Sequence, residues 1–197
     1  MDSAAQKVSN RYAQILAKNT FDTVVDLGCA SGELLSQINA KVKIGVDFYP
    51  IQLKAAEKKG IKTYQLDFNK EILPFEAESI DLFLCNDVFE HLIEPHKLLS
   101  MIYSSLKQGG FLLCHVPNEF RMQNVFSILR GKGFQNAFEG SEHWNYPHLR
   151  FFTHASFKQF LERSGFKVLA DHTIKQRLWH RLGSLFWWGP TFLCKKC

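Results

Sequence analysis

Short apolar segments alternate with amphipathic, helix-like segments along the first 116 residues of the chain. Apolar residues at helical spacing, with Pro and Gly at the boundaries, predict helices at 3–18, 33–38, 50–60 and 95–106. Nearly continuous apolar runs, typical of strands buried on both faces, lie at 23–27, 41–47, 61–66, 80–85 and 111–116. This alternation requires right-handed crossovers, so it predicts an α/β fold in which helices cover both faces of a parallel sheet.

Polar side chains follow four of these strands at the point where each strand ends. They are Asp26, Asp47, Asp67 and Asn86. In doubly wound sheets, ligands bind beyond the carboxyl ends of the strands, where the strand order switches. The sequence therefore predicts a ligand site at this edge of the sheet.

A glycine turn follows the first strand in the segment VVDLGCASG, with Gly28 and Gly32 four residues apart. The spacing differs from the GxGxxG of dinucleotide-binding proteins, and the GK[ST] ending of a phosphate-binding loop is missing. A turn at the start of a helix still offers backbone N–H groups and a positive dipole end to a nucleotide-like or zwitterionic ligand. Ser31 is expected to cap the helix that follows, and Gly109 and Gly110 to end the helix at 95–106.

The regular pattern stops at Pro117. Residues 118–150 contain three glycines and the run HWNYPH, and they predict a short helix at 121–129. A long segment of this kind inside a compact domain is typically functional, so we interpret residues 118–150 as an inserted cover over the site. Thr153 then caps a helix to residue 164, strands are predicted at 166–172 and 191–195, and residues 1–197 are interpreted as one domain.

Composition and hydropathy indicate an ordinary globular protein. The 197 residues are 46% apolar and 22% charged, and no run approaches the 18 or so apolar residues of a membrane-spanning helix. The first residues are too polar for a signal peptide, so the five cysteines are expected to be reduced and the protein cytoplasmic.

The net charge of +5 is confined to one end of the chain. Residues 175–197 contain five basic residues and no acidic one, so the rest of the chain is neutral overall, which argues against a nucleic-acid partner. This basic tail also contains Trp179, Phe186, Trp187 and Trp188. Two interpretations stay open: peripheral contact with an anionic membrane surface, or a hairpin whose aromatics fill the core or a homodimer interface.

The motifs VVDLGCASG, IGVDFYP, YQLDFN, DLFLCNDVFEHL and LKQGGFLLCHVPN, in this order, resemble class I S-adenosylmethionine-dependent methyltransferases. The chain is most similar to the small-molecule branch, which includes ubiquinone-type O-methyltransferases and methyltransferases of polysaccharide clusters. The resemblance covers roughly residues 22–172. It implies a doubly wound, mostly parallel, Rossmann-like sheet of seven strands, whose last strand is antiparallel and inserted beside the sixth. The strand at 191–195 fits that place.

The resemblance also implies S-adenosylmethionine as cofactor and S-adenosylhomocysteine as product. On the methionine side, the turn formed by Gly28, Ala30 and Gly32 would meet the carboxylate, and Asp26 would order the ammonium group. Asp47 would accept the ribose hydroxyls, as acids at this position do for nicotinamide cofactors. Ala30 departs from the family, because many relatives have glycine there.

On the adenine side, the resemblance implies that Phe48 flanks the ring. Asp67 would accept the amino group of adenine, and the backbone N–H of Phe68 would donate to a ring nitrogen. The region of Asn86 would close over the amino-acid part of the cofactor.

Methylation of oxygen or nitrogen requires that the acceptor lose a proton, and histidine is the usual base near neutral pH. His143 and His148 are the catalytic candidates because both lie in the segment EHWNYPHLRFFT of the cover. His115, near the end of the fifth strand, is a further histidine within reach of the site. Glu90 and His91 are interpreted as a hydrogen-bonded pair at a helix start.

No metal site is predicted, because Cys194 and Cys197 form a single C-x-x-C spacing without a second pair. The leading hypothesis is a methyltransferase that acts on a small-molecule acceptor, at an oxygen atom of a sugar or a lipid-attached precursor. Two alternatives stay open: a non-catalytic module that binds S-adenosylmethionine and regulates or scaffolds a partner, and a nicotinamide-dependent dehydrogenase.

Overall fold

The structure of the chain, a computed structural model, describes residues 4–132, 147–173 and 189–197. The strands are β1 (Phe21–Leu27), β2 (Ala40–Asp47), β3 (Lys62–Gln65), β4 (Ile80–Asn86), β5 (Leu106–His115), β6 (Phe166–Asp171) and β7 (Thr191–Lys196). The helices are α1 (Ala4–Leu16), α2 (Glu33–Ser36), α3 (Pro50–Glu57), α4 (Pro95–Ser105), α5 (Met122–Leu129) and α6 (His154–Arg163), with a 3₁₀ turn at Phe89–His91.

The seven strands form one sheet in the order β3-β2-β1-β4-β5-β7-β6. The pairs among β1 to β5 are parallel, whereas β7 is antiparallel to both β5 and β6 and lies between them. The strand order reverses between β1 and β4, which is the position where α/β sheets open a ligand crevice. The predicted fold class, including the place of the last strand, is confirmed.

Two apolar cores cover the two faces of the sheet, and β4 contributes to both. Phe83 and Cys85 belong to one core, whereas Leu82 and Leu84 belong to the other. This separation follows from the alternation of side chains along a strand, and it explains why the strand is apolar at every position. The first core also contains a group of aromatic rings: Phe89, Phe152, Phe157, Phe160 and Phe192.

Two predicted helix ends are wrong. Ser31 does not cap α2: Gly32 is the N-cap residue, in the left-handed conformation, and no side chain caps the helix. Gly109 and Gly110 do not end α4, because α4 passes directly into β5 at Leu106 and both glycines lie inside that strand. The pairing of β4 with β5 shifts register between Ile80 and Leu82, and glycine is typical of such an irregularity.

Thr153 caps α6 as predicted. Its hydroxyl accepts from the backbone N–H of Ser156 at 3.1 Å, and the side chain of Ser156 bonds back to the N-cap residue. None of the helices in the described part of the chain combines the length and the hydropathy needed to cross a bilayer. Most of the basic aromatic tail, including Trp179, Phe186 and both neighbouring tryptophans, lies outside the described residues.

Candidate functional site

The polar residues predicted at the strand ends meet at one edge of the sheet. Asp26, Asp47 and Asn86 lie at or next to the last positions of β1, β2 and β4, and Asp67 follows β3 by two residues. The parallel pairing of these strands makes the convergence a direct consequence of topology. The register places Asp26 beside Leu84 of the neighbouring strand.

The loop from Gly28 to Gly32 has a backbone that favours small residues. Gly28 has φ 74°, Ala30 φ 46° and Gly32 φ 75°. A Cβ atom at Gly28 would lie 2.7 Å from Cγ2 of Val88, and one at Gly32 would overlap Ile61. The glycines therefore allow the chain to turn left-handed and to pack against its neighbours, which brings the loop backbone to the sheet edge.

Asp47 holds this loop in place. Its Oδ2 accepts from the N–H of Ala30 at 2.9 Å, and its Oδ1 accepts from the N–H of Tyr49 at 2.9 Å. Each carboxylate oxygen has a second lone pair, so the residue can still accept from a ligand hydroxyl. Asp26 lies nearby and is buried; burial, with a smaller contribution from the charge of Asp47, raises the pKa of Asp26 to about 8.

Three other predicted cofactor residues, Asp67, Phe48 and Asn86, have different surroundings. Asp67 accepts from the N–H of Asn69 and forms an ion pair with Lys70 at 2.9 Å, which lowers its pKa. The ring of Phe48 is 53% exposed and packs edge-on against Tyr49. Both polar atoms of the Asn86 side chain are buried and make no hydrogen bond to a described residue.

A cleft of about 560 Å³ opens along this edge. Of the predicted cofactor residues, Gly28, Ala30, Asp47, Phe48, Asp67 and Phe68 line it. Asp26, Gly32 and Asn86 are not among the described residues that line it, although Asn86 directly precedes Asp87, which does. Further residues in its walls, which the sequence did not single out, include Tyr49, Gln52, Asn69, Asp87, Val88 and Leu92.

Histidines stand at one end of the cleft. His91 and Pro147 line it, and the adjacent His148 is buried with its ring 4.8 Å from that of His91, centroid to centroid. Nδ1 of His148 lies 2.6 Å from Oε1 of Glu119. Because a carboxylate oxygen accepts, Nδ1 carries the proton in this pair, and Nε2 keeps its lone pair when the ring is neutral. The second catalytic candidate, His143, lies outside the described residues.

The predicted hydrogen bond between Glu90 and His91 is not formed. The carboxylate of Glu90 is buried, and neither oxygen makes a hydrogen bond to a described residue, so the predicted hydrogen-bonded pair at a helix start is wrong. Burial, followed by the charge of Asp87, raises the pKa of Glu90 to about 9. Burial also lowers the pKa of His91.

Residues 149 and 150 are attached to this turn mainly through their backbone. The N–H groups of Leu149 and Arg150 both donate to the carbonyl oxygen of Glu90, at 2.7 and 3.0 Å. The guanidinium of Arg150 donates to the carbonyl of Ile93 and anchors the same residues to the turn.

His115 faces another neighbourhood. Its Nδ1 lies 2.9 Å from the hydroxyl of Thr191 on β7, and its Nε2 lies 3.5 Å from Asp87. Burial lowers its pKa, and burial raises the pKa of Tyr12, whose ring lies beside it. Among the described residues, Asp87 is the one that lines the cleft and contacts His115.

Two functional candidates were missed from the sequence, Glu119 and Asn124. Glu119 is buried and orients His148, and Nδ2 of Asn124 donates to Oε2 of Glu119 at 2.9 Å. Glu119 and His148 are 29 positions apart, so no local spacing connects them. The one available signal was an acid within the cover, in a segment where histidines were already candidates.

Comparisons with known proteins identify the family and the fold of the chain. A family model described as a methyltransferase domain matches residues 2–171. An uncharacterised protein of Methanocaldococcus jannaschii is 29% identical over 151 residues, which cover 76% of this chain and 67% of that protein. A ubiquinone biosynthesis O-methyltransferase of Coxiella burnetii is 26% identical over 154 residues, which cover 74% of this chain and 64% of the enzyme. The chain therefore spans only 64–67% of the length of these relatives.

Among solved structures, a magnesium protoporphyrin IX methyltransferase from Synechocystis PCC 6803 with bound SAH superposes with a TM-score of 0.69. The sequences are 16% identical, and the match covers 98% of this chain and 84% of that one. At this identity the similarity shows the fold alone. In that other protein, the same fold binds SAH.

Proposed function

The chain belongs to the family of methyltransferase domains, and from this premise we propose that it transfers the methyl group of S-adenosylmethionine to an oxygen atom of a small molecule. Family membership confirms the class I assignment and the cofactor predicted from the motifs. The observation that carries the proposal is the cleft itself, which has a glycine loop and Asp47 on one side and His91 at its end.

The residues of the cleft fit the cofactor. The left-handed turn at Gly28 brings the loop backbone to the sheet edge, where the methionine carboxylate would lie, and the buried Asp26 would take the ammonium group. Asp47 keeps lone pairs for the ribose hydroxyls. The amide of Asn86 has no partner among the described residues, so it is free to bond to the amino-acid part of the ligand.

The adenine side is proposed to use the exposed edge of the cleft. Phe48 would flank the ring, and the backbone N–H of Phe68 would donate to a ring nitrogen. Asp67 would accept the amino group with the lone pairs left by Lys70 and Asn69.

Methyl transfer from a sulfonium is an in-line displacement, so the protein mainly orients the reactants and excludes water. The acceptor must also lose a proton, and His148 is the proposed catalytic residue for that loss. Its ring is fixed by Glu119 and lies 4.8 Å, centroid to centroid, from the ring of His91, which lines the cleft. Residues 118–150 are proposed to cover this end, because Pro147 lines it and the segment bonds to the turn after β4.

Two observations support an oxygen acceptor on a small molecule. Outside the basic tail the chain is neutral overall, which favours a small ligand over nucleic acid. The name of the Coxiella relative describes O-methylation in ubiquinone biosynthesis. We therefore place lipid-attached precursors and sugars first among the acceptors.

The test combines binding and turnover on the full chain. Titration calorimetry with S-adenosylmethionine and with NAD should show binding of the former alone. Formation of S-adenosylhomocysteine is then measured with a panel of hydroxylated sugars, nucleotide sugars and polyprenyl phenols. His148→Gln should lower turnover while cofactor affinity stays unchanged, and His96→Gln, at an exposed surface histidine, serves as the matched control.

The outcomes separate the alternatives. Cofactor binding without turnover on any acceptor would favour the non-catalytic module. Strong binding of NAD would overturn the proposal in favour of a dehydrogenase. Equal turnover by the His148 and His96 variants would remove His148 from the chemistry.

A further inference from the structure

Three potential metal ligands converge at the end of the cleft. One ligand atom each of Glu90, His91 and His148 lies within 4.8 Å of the others. Nε2 of His91 is 3.9 Å from Oε1 of Glu90, and this distance is too long for a hydrogen bond. A small cation between these atoms could be coordinated by all three side chains.

Hydrogen bonds hold the Nδ1 atom of both rings. Nδ1 of His91 lies 3.1 Å from the carbonyl oxygen of Pro147, and Nδ1 of His148 lies 2.6 Å from the carboxylate of Glu119. A carbonyl and a carboxylate can only accept, so both Nδ1 atoms carry the proton. In each ring Nε2 is then the nitrogen that can bind a metal, which is the arrangement in which a carboxylate or carbonyl orients a metal-binding histidine.

Glu90 supplies an independent observation. Its side chain is 1% exposed, and neither oxygen has a hydrogen-bond partner among the described residues. An ionised carboxylate in this position is costly unless a positive charge compensates it. A cation held between the Glu90 carboxylate and the imidazole nitrogens of His91 and His148 would supply that charge.

We propose that Glu90, His91 and His148 bind a divalent cation at the acceptor end of the cleft. Two imidazole nitrogens and one carboxylate oxygen are a ligand set that zinc accepts, and three protein ligands leave a position open for substrate. His91 lines the cleft, so the open position faces the space where the acceptor binds. Glu119 is then a positioning residue: it acts on the metal through the ring of His148.

This inference rests on the proposed function and specifies how the acceptor loses its proton. A hydroxyl bound to the cation becomes more acidic and releases its proton to water. The resulting oxygen forms a bond to the methyl carbon, while the carbon–sulfur bond breaks and its electron pair stays on sulfur as a neutral thioether. His148 then contributes to proton loss as a ligand of the cation.

The test measures binding of Zn²⁺ alone, without cofactor or acceptor. The untagged full chain is treated with a chelator, titrated with Zn²⁺ by calorimetry, and analysed for bound metal after dialysis. We expect one equivalent, with at least about tenfold weaker binding in Glu90→Gln and His148→Gln, and about 10–100-fold weaker binding in Glu119→Gln. His96→Gln and Cys197→Ser, at exposed residues, should bind like the unchanged chain.

A spectroscopic readout identifies the ligands. Co²⁺ added in place of Zn²⁺ should give visible absorption bands typical of nitrogen and oxygen ligands, and Glu90→Gln should shift or abolish them. Circular dichroism confirms that each variant is folded, and titration with S-adenosylmethionine is run separately on the metal-free chain. Cofactor binding without metal binding would overturn this inference alone, and loss of cofactor binding would overturn the proposed function. Zn²⁺ affinity unchanged in the folded Glu90→Gln and His148→Gln variants would also overturn the cation site.

Discussion

Replacing Asp26 with Asn should make the cofactor-free protein more stable, and increasingly so as the pH rises. Asp26 is 4% exposed at the end of β1, and burial, followed by the charge of Asp47, raises its pKa from 3.8 to about 8. The folded protein therefore holds a proton on Asp26 at pH values where the unfolded chain has released it. We infer that a carboxylate occupies this buried position because it binds the ammonium group of the cofactor.

The sign follows from proton linkage. A carboxyl group whose pKa is higher in the folded state lowers stability as the pH rises from the unfolded to the folded value, here from about 4 to about 8. Each pH unit within this window costs up to about 1.4 kcal/mol. Asn carries no charge, so between pH 5 and pH 7 the variant should gain roughly 2–3 kcal/mol over the unchanged chain.

Urea unfolding of both proteins at pH 5 and pH 7, without cofactor, measures this difference. Asp22→Asn is the control, because Asp22 is exposed and its pKa is lowered by the hydrogen bond and charge of Lys41. That variant should show no gain with rising pH. Parallel stability profiles for the Asp26 variant and the unchanged chain would refute the reasoning, because they would mean that Asp26 is ionised in the folded state at little cost.

Three further predictions concern single contacts. Ala30→Gly should stabilise the protein by about 0.5–1 kcal/mol in urea unfolding, because the left-handed φ of 46° costs Ala more than Gly loses in chain entropy; a destabilised variant would contradict this. Asp47→Ala should weaken S-adenosylmethionine binding at least about tenfold in calorimetry, because it removes the two hydrogen bonds to the loop backbone and the proposed ribose acceptor. Unchanged affinity would exclude that role. Thr153→Ala should cost about 1 kcal/mol of stability through the lost cap of α6, while methyl transfer per folded molecule stays the same.

The sheet and its ligand edge could be predicted from the sequence because their signals are local. Each buried parallel strand is a continuous apolar run, and the acid that follows it marks the carboxyl end. Parallel topology then brings Asp26 and Asp47 together without further information. Where local signals competed, the prediction was wrong: Gly109 and Gly110 are typical of a helix end, but the irregular pairing of β5 with β4 determined their place.

The histidine end could not be predicted in the same way, because its contacts connect distant parts of the chain. Glu119 and His148 are 29 positions apart, and His91 and Pro147 are 56 apart. Nothing in the local sequence indicates which acid orients which ring. The backbone of Glu90 likewise contacts residues far along the chain, because its carbonyl accepts from the N–H groups of Leu149 and Arg150.

The two halves of the site are coupled through the turn after β4. Val88 lies against Gly28, so the turn carries one wall of the proposed methionine pocket. Two residues later, the carbonyl of Glu90 accepts the N–H groups of Leu149 and Arg150, and this bond pair fixes the backbone next to His148. The distance between the proposed methyl donor and the acceptor end is therefore set by a few residues of one turn. Because in-line transfer depends strongly on that distance, a shift of this turn should affect chemistry more than the binding of either ligand.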